Sequence, residues 1–301
     1  MKVNSMKVTP IGKIVGDGQD GAIFGKLLFA INRYGDVSVY DIEAFGETVS
    51  PEDKIDSFKL DKWESICPHS NAVCFGSEFY CEGDEFPLMY SNIYNNYAGS
   101  PRPLKGVCCV YRVMREGNKF STALVQIIEI GFVEDASLWK MSEYGDCDRP
   151  YGNFTVDRDK NVFYGFTMRS QKDGTRYFAF DLPSAHDGEI DEELGVKRVV
   201  LSPDDIKYYF DTEHHYYVQG ACCHNSLIYS LEGFYTEELP PRLRIIDPEA
   251  KEQIFAVDLR KYTPSIEPEL IDFCGDTCYY SDEYGNLYIM DIEFATENVN
   301  E

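Results

Sequence analysis

The sequence predicts an all-β chain, one domain over residues 1–301, made of five four-stranded antiparallel units closed into a ring by the N-terminal strand. Three observations predict it. Short runs rich in Val, Ile, Tyr and Phe, bounded by Gly, Asp and Asn, recur from end to end. Helical periodicity is confined to two single turns, at Pro51 to Ile55 and at Ser202-Pro203-Asp204-Asp205-Ile206, where a serine or a proline can start a turn. The last unit has one strand too few, and a strand-like segment stands unused before the first.

The units share one internal order, in which a small-residue strand is followed by two longer apolar strands and a more polar fourth. The first unit has Gly21-Ala22-Ile23-Phe24, Leu27 to Asn32, Val37 to Ile42 and Phe58 to Trp63. The second has Asn71 to Phe75, Phe86 to Ile93, Val107 to Met114 and Ala123 to Gly131. The third is read as Gly152 to Val156, Val162 to Met168, Arg176 to Leu182 and Val196 to Leu201. The fourth has Val218 to Cys223, Leu227 to Glu232, Leu243 to Asp247 and Gln253 to Leu259. The fifth has three strands, Leu270 to Cys274, Cys278 to Asp282 and Leu287 to Ile292. Turns such as Arg33-Tyr34-Gly35-Asp36, Lys172-Asp173-Gly174-Thr175 and Glu283-Tyr284-Gly285-Asn286 suit tight hairpins, because glycine supplies the positive φ they need.

Lys7 to Val15 supplies the missing outer strand of the fifth unit, and closing the circle removes an open sheet edge that would template aggregation. A unit of roughly 60 residues, repeated radially, resembles the five-bladed β-propeller superfamily over nearly the whole chain. The resemblance is one of strand order and turns. No WD dipeptide and no kelch diglycine closes the units, so no characterised propeller family is matched. Two β-sandwiches, or six blades with the long second unit counted twice, are the other arrangements this strand list allows.

The charge narrows the partners. With 28 Lys+Arg against 52 Asp+Glu the formal net charge is -24, which repels phosphate backbones and anionic lipid. No nucleic acid and no membrane is expected as a partner. The N-terminus has no apolar core of a signal peptide, and no run of the chain is long enough to span a bilayer. Of the ten cysteines, six fall in apolar runs such as Val107-Cys108-Cys109-Val110 and Ala221-Cys222-Cys223, where free cysteine packs as a small hydrophobe. Reduced thiols in a cytoplasmic monomer are the expectation.

The propeller resemblance implies that the five innermost strands begin at one face, around the mouth of an axial channel where ligands enter. The residues at those beginnings are Gln19 and Asp20, then His69 and Asn71, then Arg149, Tyr151 and Asn153, then His214 and Gln219, then Glu267 and Glu269, with Ser70, Glu213, His215, Tyr217 and Asp272 beside them. Amides, imidazoles, a guanidinium and carboxylates placed just before buried Ala, Val and Phe need partners or a ligand. The expected function is binding of a small polar molecule, a sugar or a carboxylate-type metabolite, with no chemistry assigned. Loops at 92–106 and 233–241 are expected as a rim over the channel.

Other chemistries are weaker. A hydrolase acting on a glycoside or lactone would rest on Asp20, His69 and Glu269, because glycoside hydrolysis needs two carboxylates across the scissile bond. The carboxylate positions of five-bladed glycosidases are filled here by His69, Asn71 and Asn153 after the first, which departs from that pattern. No metal and no cofactor is assigned; the alternative is a divalent cation such as calcium held by Asp20, Asn71, Asn153 and Glu269. The histidines show no HxH or HExxH spacing, and the sequence has no GxSxG and no P-loop. A protein-interaction scaffold using the rim is the third class.

Overall fold

A computed structural model describes residues 2–66, 68–93, 107–131, 152–167, 174–213 and 217–295. The chain is a five-bladed β-propeller. It opens with β1 (Val3–Lys13), and blade one is β2 (Gly18–Phe24), β3 (Leu27–Asn32), β4 (Asp36–Asp41) and β5 (Lys54–Lys59). Blade two is β6 (Val73–Phe75), β7 (Met89–Ile93), β8 (Val107–Glu116) and β9 (Lys119–Ile130). Blade three begins with β10 (Gly152–Asp157), β11 (Val162–Thr167) and β12 (Thr175–Asp181); after β13 (Glu189–Asp191) and β14 (Val196–Leu201) it ends with β15 (Tyr208–Thr212). Blade four is β16 (Val218–His224), β17 (Leu227–Glu232), β18 (Arg242–Asp247) and β19 (Glu252–Asp258). Blade five is β20 (Pro268–Cys274), β21 (Thr277–Asp282) and β22 (Asn286–Phe294), completed by β1 on its outer edge.

The expected ring closure is therefore present. Strand β1 runs antiparallel to β22 from Val3 opposite Phe294 to Lys13 opposite Asn286. Val3, Met6 and Val8 pack on the core shared by blades four and five. Removing residues 1–13 strips that cover and bares β22 as an open edge. It is expected to cost on the order of 5 kcal/mol, about 10 °C in melting temperature at this chain length, with soluble aggregates appearing in size-exclusion chromatography.

One expected strand belongs elsewhere. Val196 to Leu201 does not close blade three. It lies parallel to β9, Lys197 opposite Gln126 through Leu201 opposite Ile130, and widens blade two to six strands together with β13. The outer strand of blade three is β15, paired antiparallel to β12. Two strand-forming runs, one rich in valine and one aromatic, compete for that place, and the short turn Pro203–Asp205 between them lets the first cross to the neighbouring blade. In that turn the Ser202 N–H and Oγ each donate to Asp205 Oδ2 at 2.7 Å. The outer strand of blade one also starts earlier than expected, at Lys54, because the turn Pro51–Asp53 ends there; Trp63 belongs to a single helical turn, Trp63–Ile66.

Carboxylates fasten the blades to one another. Asp272 Oδ2 on β20 accepts from the Ile23 N–H of blade one at 2.6 Å, and Asp20 Oδ2 accepts from the Val73 N–H of blade two at 2.7 Å. Farther out, Asp56 accepts from the Phe120 N–H at 2.7 Å and Asp61 from the Leu124 N–H at 3.0 Å. Aromatic packing fills the gap between blades one and two, where Phe29 meets Phe75, Phe86 and Phe120 edge-on or tilted. The small residues at the head of the inner strands follow from crowding at the axis. A Cβ on Gly220 would stand 1.9 Å from the Glu269 carbonyl oxygen, and one on Gly21 would stand 2.4 Å from that of Phe29. All cysteines among the described residues are free thiols, and no described helix is long and apolar enough to cross a membrane.

Candidate functional site

Antiparallel pairing brings two strand ends to the channel mouth in each blade. Gly18 at the start of β2 lies opposite Asn32 at the end of β3, Val218 opposite Glu232, and Pro268 opposite Asp282. The mouth is thus a double layer of side chains. First-strand residues were expected there; the second layer, including Asn92, Glu232 and Asp282, was not. Its signal was present in the sequence as polar residues closing the otherwise apolar second strands.

Two turns on the rim share one construction. Asn32 Oδ1 accepts from the Tyr34 and Asp36 N–H groups, both at 2.9 Å, while its Nδ2 donates to Asp36 Oδ2 at 3.1 Å. In blade five the acid and amide exchange places: Asp282 Oδ1 accepts from Tyr284 and Asn286 at 3.0 Å, and Asn286 Nδ2 donates to Asp282 Oδ2 at 2.8 Å. Gly35 and Gly285 supply the required positive φ of 75° and 79°. Both turns hold an exposed tyrosine, Tyr34 or Tyr284, on the rim. In the expected rim segment 233–241, Tyr235 is likewise exposed, and the Phe234 N–H closes the loop on the Leu239 carbonyl at 2.8 Å. Residues 94–106, the other expected rim segment, lie outside the described residues.

Inside the rim the predicted residues fall into three separate hydrogen-bonded groups. Gln19 Nε2 donates to Glu269 Oε1 at 3.4 Å, bridging blades one and five. Asn71 Nδ2 donates to Gln219 Oε1 at 3.2 Å and to the Val218 carbonyl at 3.3 Å, bridging blades two and four across the axis. Gln219 Nε2 donates in turn to Glu267 Oε1 and to the Gly233 carbonyl. Asn153 Oδ1 accepts from Asn92 Nδ2 at 2.7 Å. His69 is half-buried; burial, then the Arg33 charge, pushes its pKa down to about 4, so it is neutral at pH 7. Arg149, Tyr151 and His214 lie outside the described residues.

Several buried atoms of this set have no partner: Asp20 Oδ1, Asn71 Oδ1, Asn92 Oδ1, Asn153 Nδ2 and Glu269 Oε2. Asp20 Oδ1 faces the axis, since a Cβ on Gly220 of blade four would stand 3.2 Å from it. The acids also press on one another. Burial raises Asp20 and Glu269 well above the usual carboxylate range, helped for Glu269 by the Glu267 and Asp20 charges. Burial and the Glu283 charge bring Glu267 to about 7. Between blades one and five the recess over Gln19 and Asp20 is only about 30 Å³, room for a water or two.

Among the described residues no three His, Cys, Asp or Glu side chains converge as a metal ion requires.

No family model matches this sequence, and no curated protein matches it. Among solved structures, the glutaminyl cyclase of Myxococcus xanthus is similar over 98% of this chain and 100% of its own, at 9% identity and a TM-score of 0.52. Sqt1 of Saccharomyces cerevisiae aligns over 89% of this chain and 55% of its own, at 7% identity and a TM-score of 0.36. At such identities the likeness is one of architecture, and the chain takes its place among five-bladed β-propellers by its fold.

Proposed function

We propose that the channel mouth binds, without covalent chemistry, a small polar molecule that presents N–H or O–H donors, a polyol or an amine. The observation that carries this reading is the set of unpartnered acceptors, Asp20 Oδ1, Asn71 Oδ1 and Glu269 Oε2, buried at the heads of the inner strands of blades one, two and five. A buried acceptor without a donor costs about 1–3 kcal/mol, and a donor-rich ligand removes that cost. A carboxylate-type ligand is disfavoured, because its charge would add to that of Glu283 and, above about pH 7, to that of Glu267. Exposed Tyr34, Tyr235 and Tyr284 add flat faces suited to a sugar ring or an ammonium group.

The test is a melting-temperature screen of sugars, polyamines and small carboxylates. A ligand at a hundred times its Kd is expected to stabilise the fold by about 2.7 kcal/mol, with hits among the first two classes and none among the third. Asn71→Ala and Glu269→Gln are each expected to remove the shift. Hits confined to carboxylates, or shifts untouched by both substitutions, would refute the reading.

A second reading, hydrolysis, is favoured by one observation: Glu267, titrating near 7, adds its charge to the burial that raises the neighbouring acid Glu269. It requires that Glu269→Gln abolish turnover of a glycoside or lactone while ligand binding persists.

A further inference from the structure

The inner strands end at the opposite face, and there three hairpins enclose a second cavity, of about 230 Å³. It is lined by Asp157, Arg158 and Asp159 of blade three, by Cys223 and His224 of blade four, and by Asp276 of blade five. None of these residues belongs to the polar set at the upper mouth.

The cavity is chemically two-sided. Asp157 is 2% exposed. Its Oδ1 is consumed within its own hairpin, accepting from the Asp159 N–H at 3.1 Å and the Lys160 N–H at 3.2 Å. Its Oδ2 is buried with no partner, an acceptor lacking a donor. Arg158 is half-buried, and no carboxylate among the described residues holds it in an ion pair. Its charge acts on His224 and on the buried Asp272 beneath the cavity. Burial, reinforced by Arg158, lowers the His224 pKa, and Asn225 Nδ2 lies 3.0 Å from its Nε2. The imidazole stacks on Phe273 with centroids 3.9 Å apart and planes 5° from parallel, so it forms a fixed wall. Metal coordination does not account for the orphan oxygen, because no described trio of ligating side chains is present. What the walls leave unanswered is one donor for Asp157 and one anion for Arg158.

We propose that this lower mouth binds a free amino acid through its backbone zwitterion, the α-ammonium on Asp157 Oδ2 and the α-carboxylate on Arg158. Asp159 and Asp276 at the rim add to the attraction for the ammonium. The cavity beyond leaves room for a side chain.

The twenty protein amino acids serve as probes in isothermal titration calorimetry against the full chain. Each hit is compared with the primary amine lacking the carboxylate and with the N-acetyl derivative lacking the ammonium. At least one amino acid is expected to bind, and both derivatives at least about tenfold more weakly. Asp157→Asn keeps the turn-forming Oδ1, so the hairpin survives, yet it is expected to weaken binding at least about tenfold, as is Arg158→Gln. Lys160→Gln, on the same hairpin but paired outward with Glu249, is expected to leave affinity within about twofold. The proposal is overturned if no amino acid binds, if the amine alone binds as well as the zwitterion, or if Asp157→Asn and Arg158→Gln both leave the affinity unchanged.

Discussion

Arg244→Ala is expected to destabilise the protein by about 3–5 kcal/mol, read as a lower denaturant midpoint. Arg244 on β18 is 1% exposed and Glu232 on β17 is 0% exposed, and they stand 3.4 Å apart from Nη1 to Oε1. The guanidinium also donates to Gln253 on β19, and its Nη2 reaches the Thr212 hydroxyl at 2.9 Å and the Glu213 carbonyl at 3.1 Å. It therefore ties the outer strands of blade four to the end of blade three. Alanine leaves a cavity and takes the Arg244 cation away from a buried glutamate, and the second effect is the larger. Arg244→Lys is expected to recover only part of the loss, because an ammonium cannot reproduce the planar fork. Joining Arg244→Met to Glu232→Leu should recover most of it, since both buried charges then go. A double variant as unstable as Arg244→Ala would show that packing, not the buried charge, sets the cost.

Neither member of that pair stood out in the sequence. Arg244 sits in Arg242-Leu243-Arg244-Ile245, where alternation reads it as an ordinary outward-facing residue. Its burial comes from the neighbouring blade, a contact between residues more than thirty positions apart that no local pattern encodes. The same limit explains β14. Its β-branched composition showed that it is a strand, while its partner, the parallel β9, depends on where the chain crosses. What the sequence did reveal followed from period and crowding: apolar alternation marked the five units, and Gly21-Ala22 and Gly220-Ala221 marked the inner strands where backbones nearly touch. Strand heads then singled out Gln19, Asp20, Asn71, Asn153, Gln219, Glu267 and Glu269, which lie at or just before the starts of the inner strands. The lower mouth was missed because its acids, Asp157 and Asp159, read as hairpin-turn residues, which they also are.

The buried acids at the axis set the pH dependence of stability. Burial raises Asp20 and Glu269, brings Asp272 to about 6 and, with Glu283, Glu267 to about 7. Each folded-state pKa lies above its unfolded value near 4, so between the two the folded state holds more protons than the unfolded chain. Stability then falls as pH rises through that window. For Asp272, fully enclosed and raised from 3.8 to about 6, the loss is about 3 kcal/mol by pH 7. The melting temperature is therefore expected to be several degrees higher near pH 5 than near pH 7.5, opposite to a protein whose acids are salt-bridged. Glu269→Gln tests where part of this arises. Glutamine keeps the oxygen that accepts from Gln19, and it places an amide donor where Glu269 Oε2 has no partner, beside Asp20 and Glu267. At acid pH, where the wild-type carboxyl holds its proton, the exchange is close to neutral. Near pH 8, where folding must either ionise that carboxyl or hold its proton, the substitution is expected to stabilise by about 2 kcal/mol, roughly 4 °C at this size. A variant destabilised equally under both conditions would mean that Glu269 is not the site of the proton uptake. A wild-type melting temperature that rises from pH 5 to 7.5 would mean that ion-paired carboxylates, such as Asp56 with Lys119, outweigh the axial acids.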